Sequence, residues 1–177
     1  MSDGAAMMIA LRVIHIVSGV FWAGTVMVIA WFLLPTAQAM GQPGGAFMQQ
    51  LMFGHRLRTV MLGSMLLTIL SGLTMYGWIA METDGVWARS KMGMVMGVGA
   101  IAAIIAGGIG GGVVGRQGSK MMELGGTIQA SGGPPTDAQN AEMDSYQRKI
   151  RSAFRIIAVL VVIATISMAS ARYLSSW

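Results

Sequence analysis

A histidine stands inside a stretch of sequence that is apolar enough to cross a membrane. Between residues 9 and 34 only Arg12 and His15 are ionisable, and a stretch of about 18 or more such residues predicts a transmembrane helix. An ionisable side chain at that depth is costly without a partner, so it is a candidate functional residue. An imidazole can ligate haem iron or copper, or it can hydrogen-bond a neighbouring helix. His15 is the only histidine in a predicted span, because His55 precedes the second one.

Two further residues share the helical face of His15. Gly19 follows at i+4 and Trp22 at i+7, and Arg12 lies one turn before His15 on the same stripe. A glycine one turn from a histidine leaves room for a flat ring such as a porphyrin or a quinone, which makes His15, Gly19 and Trp22 a candidate cofactor site. The same glycine is equally compatible with a close helix contact, because small residues mark such contacts in membranes. Trp22 is expected either to pack or to line the pocket.

The composition is typical of a membrane protein. Apolar residues (AVILMFWYC) make up 54% of the 177 residues and charged residues 11%, against about 25% charged in a soluble domain. The chain has no cysteine, which excludes disulfides and Fe–S clusters. We predict an all-α, single-domain integral membrane bundle of four transmembrane helices, with spans over residues 8–34, 60–80, 86–114 and 156–173.

The distribution of basic residues predicts the orientation. Arg12, Arg89, Lys91 and Arg172 lie on the side of the termini, and eight basic residues lie on the side of the two longer connections: Arg56, Arg58, Arg116, Lys120, Arg148, Lys149, Arg151 and Arg155. The positive-inside rule then places the longer connections in the cytoplasm and both termini outside, in a membrane that we expect to be a bacterial inner membrane. Since the charges mark helix ends, the net charge of +5 predicts no nucleic-acid partner.

This topology decides which polar residues can meet. His15 lies near the outer end of the first span, and Lys91 opens the third span on the same side. His55 lies at the opposite end, roughly 25–30 Å away along the helix axis. An aromatic belt is expected at the outer interface, formed by Trp78, Trp87, Tyr173 and Trp177.

Glycines recur near the end of the third span. Gly107, Gly111 and Gly115 fall at every fourth residue, the spacing that lets two transmembrane helices touch at the backbone. A phosphate-binding loop is the rival interpretation, but no strand precedes the run and no GK[ST] closes it. We predict a helix-packing interface, with a partner membrane subunit or a second copy favoured over packing within the bundle.

Residues 117–145 form the long cytoplasmic connection. Its first half contains Gly125-Gly126 and the sequence Ser131-Gly-Gly-Pro-Pro135, which is typical of a flexible loop. Thr136 or Asp137 is a candidate N-cap for a helix that continues into the fourth span. The segment contains no catalytic, nucleotide-binding or metal-binding motif.

A group of residues in the first two spans matches a known pattern: His15, the sequence Trp22-Ala-Gly24, Phe32, Pro35, and then a second helix with a basic start. This pattern resembles the membrane superfamily of the copper-resistance protein CopD and the HemJ-type protoporphyrinogen oxidases. The sequence Trp87-Ala-Arg-Ser-Lys91-Met is similar to the lysine-bearing start of the third helix in the HemJ type. The resemblance covers roughly residues 11–108.

The resemblance implies a four-helix bundle, in some members with haem b. It makes His15 the candidate ligand and Lys91 a candidate site residue. A further histidine is expected in the middle of the third helix, where this chain has only apolar residues and glycine over residues 98–105. The resemblance therefore implies neither a bis-histidine haem nor porphyrinogen oxidation for this chain.

Two functions are compatible with these observations. The first is a CopD/HemJ-like membrane protein that ligates haem b or copper through His15 near the outer membrane face. The alternative is a non-catalytic accessory subunit of a larger electron-transfer or photosynthetic complex, which packs through its glycine-rich third helix. In either case the sequence leaves enzyme activity and substrate open.

Overall fold

The computed structural model describes residues 3–176 and the side chains of residues 3–173, so Trp177 of the predicted aromatic belt lies outside the described residues. The described elements are helical. In chain order they are α1 (Asp3–Ala39), α2 (Gln42–Gln49) with a π segment (Gln50–Gly54) after it, α3 (Leu57–Glu82), α4 (Val86–Arg89), α5 (Lys91–Ser131) and α6 (Asp137–Ser170), which is followed by a 3₁₀ segment, Ala171–Ser176. Helices α1, α3, α5 and α6 are long and apolar enough to cross a membrane. The prediction of an all-α bundle of four transmembrane helices is confirmed.

The first span continues past the proline that was expected to end it. A π segment, Ile29–Leu33, lies directly before Pro35, and the Leu34 N–H donates to the Ile29 carbonyl five residues back. A proline in a helix lacks a donor and crowds the carbonyl four residues before it. The wider π turn relieves this crowding, so α1 runs to Ala39 instead of ending near residue 34.

The third span begins later than residue 86. Ser90 has an extended backbone, with φ −69° and ψ 160°, and separates α4 from α5. Its hydroxyl accepts a hydrogen bond from the Gly93 N–H at 3.1 Å, which caps the new helix. Lys91 is therefore the first residue of α5.

The first half of the predicted connection is helical rather than a loop. Helix α5 continues through a π segment, Gly110–Val114, to Ser131, and only residues 132–136 connect it to α6. Gly132 ends α5 with φ +67°, a conformation that favours glycine. Thr136 caps α6 in a capping box with Gln139, and this helix runs unbroken into the fourth span. Packing of the two helices against each other outweighs the loop-like composition.

The four long helices form two antiparallel pairs. Helix α1 packs on α3, where an added Gly19 Cβ would lie 3.3 Å from Thr68 Cγ2, and α5 packs on α6, where an added Gly99 Cβ would lie 3.2 Å from the Ala164 carbonyl oxygen. The beginning of α1 and the end of α6 thus share one end of the bundle. His55 is exposed at the other end, before α3.

The core joins the two pairs. From α1 it takes Trp22, Val26, Ile29 and Ala30, and from α5 and α6 it takes Ala102, Ala103, Ala106, Phe154, Ile157, Ala158, Val161 and Ala164. Small side chains dominate the α5–α6 contact, which lets the two backbones approach closely. Large apolar side chains point outward instead: Val17, Val20, Leu70, Ile101 and Ile166 are each more than half exposed. An apolar surface of this kind is that of a membrane protein.

The close contact of α5 with α6 depends on the missing side chain at Gly99. We expect Gly99→Leu to lower the free energy of unfolding in detergent by about 1–3 kcal/mol, because the new side chain would overpack the contact. Gly63→Leu on α3 is the matched control, since a Cβ there meets nothing within 4 Å. Equal stability of the two variants would contradict the packing described for α5 and α6.

Candidate functional site: a histidine-hydroxyl cluster between α1 and α3

The half-buried imidazole of His15 reaches across to the backbone of α3. Its Nδ1 lies 2.8 Å from the Thr68 carbonyl oxygen and 3.4 Å from the Ser71 hydroxyl. Gly72 makes this approach possible, because an added Cβ there would lie 2.8 Å from Cε1 and 3.0 Å from Nδ1 of His15. The histidine therefore bridges two transmembrane helices.

Three buried hydroxyls surround this bridge. Ser18, Thr68 and Ser71 are between 5% and 7% exposed. Ser18 Oγ and Thr68 Oγ1 are 2.8 Å apart, which adds a second hydrogen bond between α1 and α3. Together with His15 these residues form what we term the His15 cluster. A polar group inside a membrane needs a partner within the protein, and each member of the cluster has one.

The hydrogen bond to Thr68 fixes the tautomer of the imidazole. A carbonyl oxygen can only accept, so Nδ1 of His15 carries the proton and donates it. In the neutral ring Nε2 then holds a free lone pair, and none of the described residues hydrogen-bonds to it. This is the arrangement in which a histidine ligates a metal through Nε2 while its other nitrogen is held by a carbonyl.

The predicted site residues other than His15 lie in three different places in the structure. Gly19 lies on the His15 face, but the Thr68 methyl group occupies the space beside it. Trp22 is 5% exposed and packs in the core that joins α1 to α5 and α6. Lys91 is exposed at the first residue of α5 and makes none of the hydrogen bonds of His15. Gly19 therefore contacts α3 in this arrangement.

A metal at His15 would depend on additional ligands. Among the residues that the structure describes, no three His, Cys, Asp or Glu side chains come together in a group that could hold a metal ion. The single imidazole nitrogen fits one position of a haem iron or a copper ion. The other positions would be filled from a partner subunit or from donors of other types.

Sequence reasoning missed the α3 half of the cluster. The second span contains Ser64, Thr68, Ser71 and Gly72 at i, i+4, i+7 and i+8, which places small and hydroxyl residues along one helical face. The same kind of stripe, with Ser18 and Gly19 beside His15, was visible in the first span. Pairing the two polar stripes would have identified the contact.

The three evenly spaced glycines do not share one environment. Gly107 is buried against α3, with Ile69 Cδ1 at 2.9 Å from an added Cβ. Gly111 is exposed and has nothing within 4 Å, and Gly115 lies beside Arg58. The π segment Gly110–Val114 explains the difference, because its additional residue per turn breaks the i+4 register.

Comparisons with known proteins leave the family open. The chain matches no protein-family model, no curated protein and no solved structure. Membership of the CopD and HemJ superfamily therefore stays a prediction based on the residues quoted above.

Gly72 tests the bridge between α1 and α3. We expect Gly72→Ala to displace the His15 ring and to lower the free energy of unfolding in detergent by about 1–2 kcal/mol, the upper range for a hydrogen bond between membrane helices. Gly77→Ala on the same helix is the control, since its added Cβ meets nothing within 4 Å. In a His15→Ala background, Gly72→Ala should have a clearly smaller effect. An undiminished cost there would mean that the ring does not lie on Gly72.

Proposed function

We propose that this chain is a non-catalytic accessory subunit of a larger membrane complex, of the electron-transfer or photosynthetic kind, and that it binds a partner through the outward face of α5. This outer α5 face consists of residues at steps of three and four, all of them exposed: Ile101, Ile104, Ile105, Gly108, Gly111 and Gly112. From Ile101 to Gly108 this spacing follows one side of a helix, and Gly111 and Gly112 in the π segment that follows are exposed as well. The set suits contact with a second helix.

The observation that supports this proposal is the contrast between the inner and the outer glycines of α5. Gly99 and Gly107 are closed off by α6 and α3, whereas an added Cβ at Gly108, Gly111 or Gly112 would meet nothing within 4 Å. Glycine is unfavourable in a helix by about 1 kcal/mol relative to alanine. Three open glycines within five residues therefore lower the stability of helix α5 without allowing any close contact in the isolated chain. A closely approaching partner helix would explain them.

Lipid makes small residues an effective contact surface. Helices in a bilayer gain little from hiding apolar side chains, and they associate where small residues permit close van der Waals contact. The outer α5 face offers such a place beside three isoleucines. The basic residues at the opposite end from the termini support an orientation with both termini on the non-cytoplasmic side, in a membrane that we propose to be a bacterial inner membrane.

A second function is favoured by the unpartnered Nε2 of His15. We propose as the alternative that this nitrogen ligates haem b or copper near the outer face, in line with the resemblance to CopD and HemJ. A bound haem or copper would supply electron-transfer chemistry. The chain would contribute the ligand, the Thr68 carbonyl that holds Nδ1, and the α1–α3 packing that keeps the ring in place.

Gly111 tests the partner contact. We expect Gly111→Leu to reduce the native mass of the gently solubilised complex toward that of the single chain while all four helices stay inserted, because the new side chain would hold the partner helix away. Gly63→Leu on the outside of α3 is the matched control. A native mass that is unchanged in Gly111→Leu would overturn the proposal.

Cross-linking identifies the partner on the same face. The chain has no cysteine, so Ile104→Cys would be the only thiol. A cross-linked homodimer would assign the face to a second copy, and a cross-link to a different chain would assign it to a partner subunit. An absence of any cross-link in native membranes would contradict a close contact at this position.

The visible spectrum tests the alternative. If His15 ligates haem or copper, the protein isolated gently with its partners should show a Soret band or bound copper, and His15→Ala should lose it. Ser18→Ala is the control, because it alters the His15 cluster and leaves the imidazole in place. Wild-type protein that lacks both cofactors would exclude the ligand role and leave His15 as a bridge between helices.

A further inference from the structure

A groove lies where α5 and α6 leave the bundle on the side of the residue 132–136 connection. Its volume is about 400 Å³. The walls come from Ile109 and Val113 of α5 and from five residues of α6: Arg148, Lys149, Ser152, Ala153 and Ile156. No carboxylate is among these residues, so the two cations are not neutralised within the groove.

The groove has a polar and an apolar end. Arg148, Lys149 and Ser152 lie at the end farther from the span, and all three are exposed. Ile156 lies about 12 Å further along α6 than Arg148, at 1.5 Å per residue, and is 51% exposed. Because α6 runs from its projecting start into the span, the cations lie toward water and the apolar wall toward the membrane interior.

This order matches the orientation of a phospholipid. Lipid phosphates lie at the membrane surface and acyl chains extend inward, and cytoplasmic anionic lipids are attracted to Lys and Arg beside a span. A soluble phosphate would use the cations and the hydroxyl but would gain nothing from the apolar wall. A zwitterionic lipid carries its own cation beside the phosphate, so it would gain less than an anionic lipid from the two uncompensated positive charges.

We propose that this groove binds one anionic phospholipid. Its phosphate accepts hydrogen bonds from Arg148, Lys149 and the Ser152 hydroxyl, and its acyl chains lie along Ile109, Val113 and Ile156. The site is separate from the His15 cluster and from the outer α5 face.

The test uses the full chain in detergent with added phosphatidylglycerol or phosphatidylcholine, and native mass spectrometry counts the lipids retained. We expect one phosphatidylglycerol to be retained in preference to phosphatidylcholine. In the double variant Arg148→Gln/Lys149→Gln its affinity should fall about 10- to 30-fold. The matched control is Arg116→Gln/Lys120→Gln, which removes the same charge from exposed positions of α5 on the same side of the membrane and should change the affinity less than about threefold.

A second arm separates the lipid from its headgroup. The water-soluble headgroup glycerophosphoglycerol should compete only weakly, and Ile156→Gln should lower phosphatidylglycerol retention while the helix content and thermal unfolding stay as in wild type. Equal retention of the two lipids, an equal loss in the control variant, or full competition by the soluble headgroup would each overturn the proposal.

Discussion

Inside a bilayer no water is present to satisfy a polar group, so each one has to find its partner within the protein. Several hydroxyls of the described helices meet this requirement locally, by donating to a carbonyl four residues back in their own helix: Ser64 to Val60, Thr68 to Ser64, Thr74 to Leu70 and Thr165 to Val161. His15 instead turns to a second helix. Its partner is the Thr68 carbonyl of α3, and this hydrogen bond ties α1 to α3.

The bridge works only because small residues surround it. Gly72 admits the imidazole to the α3 backbone, and Gly19 admits Thr68 to α1. The same device holds α5 to α6 through Gly99 and the neighbouring alanines. Small residues therefore lie inside this bundle, and many of its large apolar side chains lie outside, in contrast to a soluble domain.

The sequence was sufficient for the features that depend on composition and local pattern. Four apolar stretches predicted four helices, and Thr136, one of the two predicted N-cap candidates, is the residue that caps α6. At Gly19 the sequence allowed a cofactor site or a close helix contact, and the structure shows a helix contact there. Such features are encoded within a single helix or its first turn.

Features that depend on two helices were out of reach. The loop-like composition before Ser131 did not reveal that α6 would pack alongside and keep the segment helical. Trp22 shares a stripe with His15, yet it packs in the core that α1 forms with α5 and α6. The even spacing of Gly107 and Gly111 predicted one interface, and the π segment between Gly110 and Val114 placed them in two environments.

That π segment also determines which side of α5 faces its neighbouring helices. Residues before it face α3 and the core, whereas residues after it lie beside the projecting part of α6. Helix α6 is continuous from Asp137 to Ser170. One residue more or less at this point would shift the distal half of α5 by only about 1.5 Å along the axis but by roughly 100° around it. An insertion or deletion in the glycine run would therefore rotate the distal half of α5. The face that the projecting part of α5 presents to α6 would turn away from α6, while the membrane-embedded half would keep its contacts.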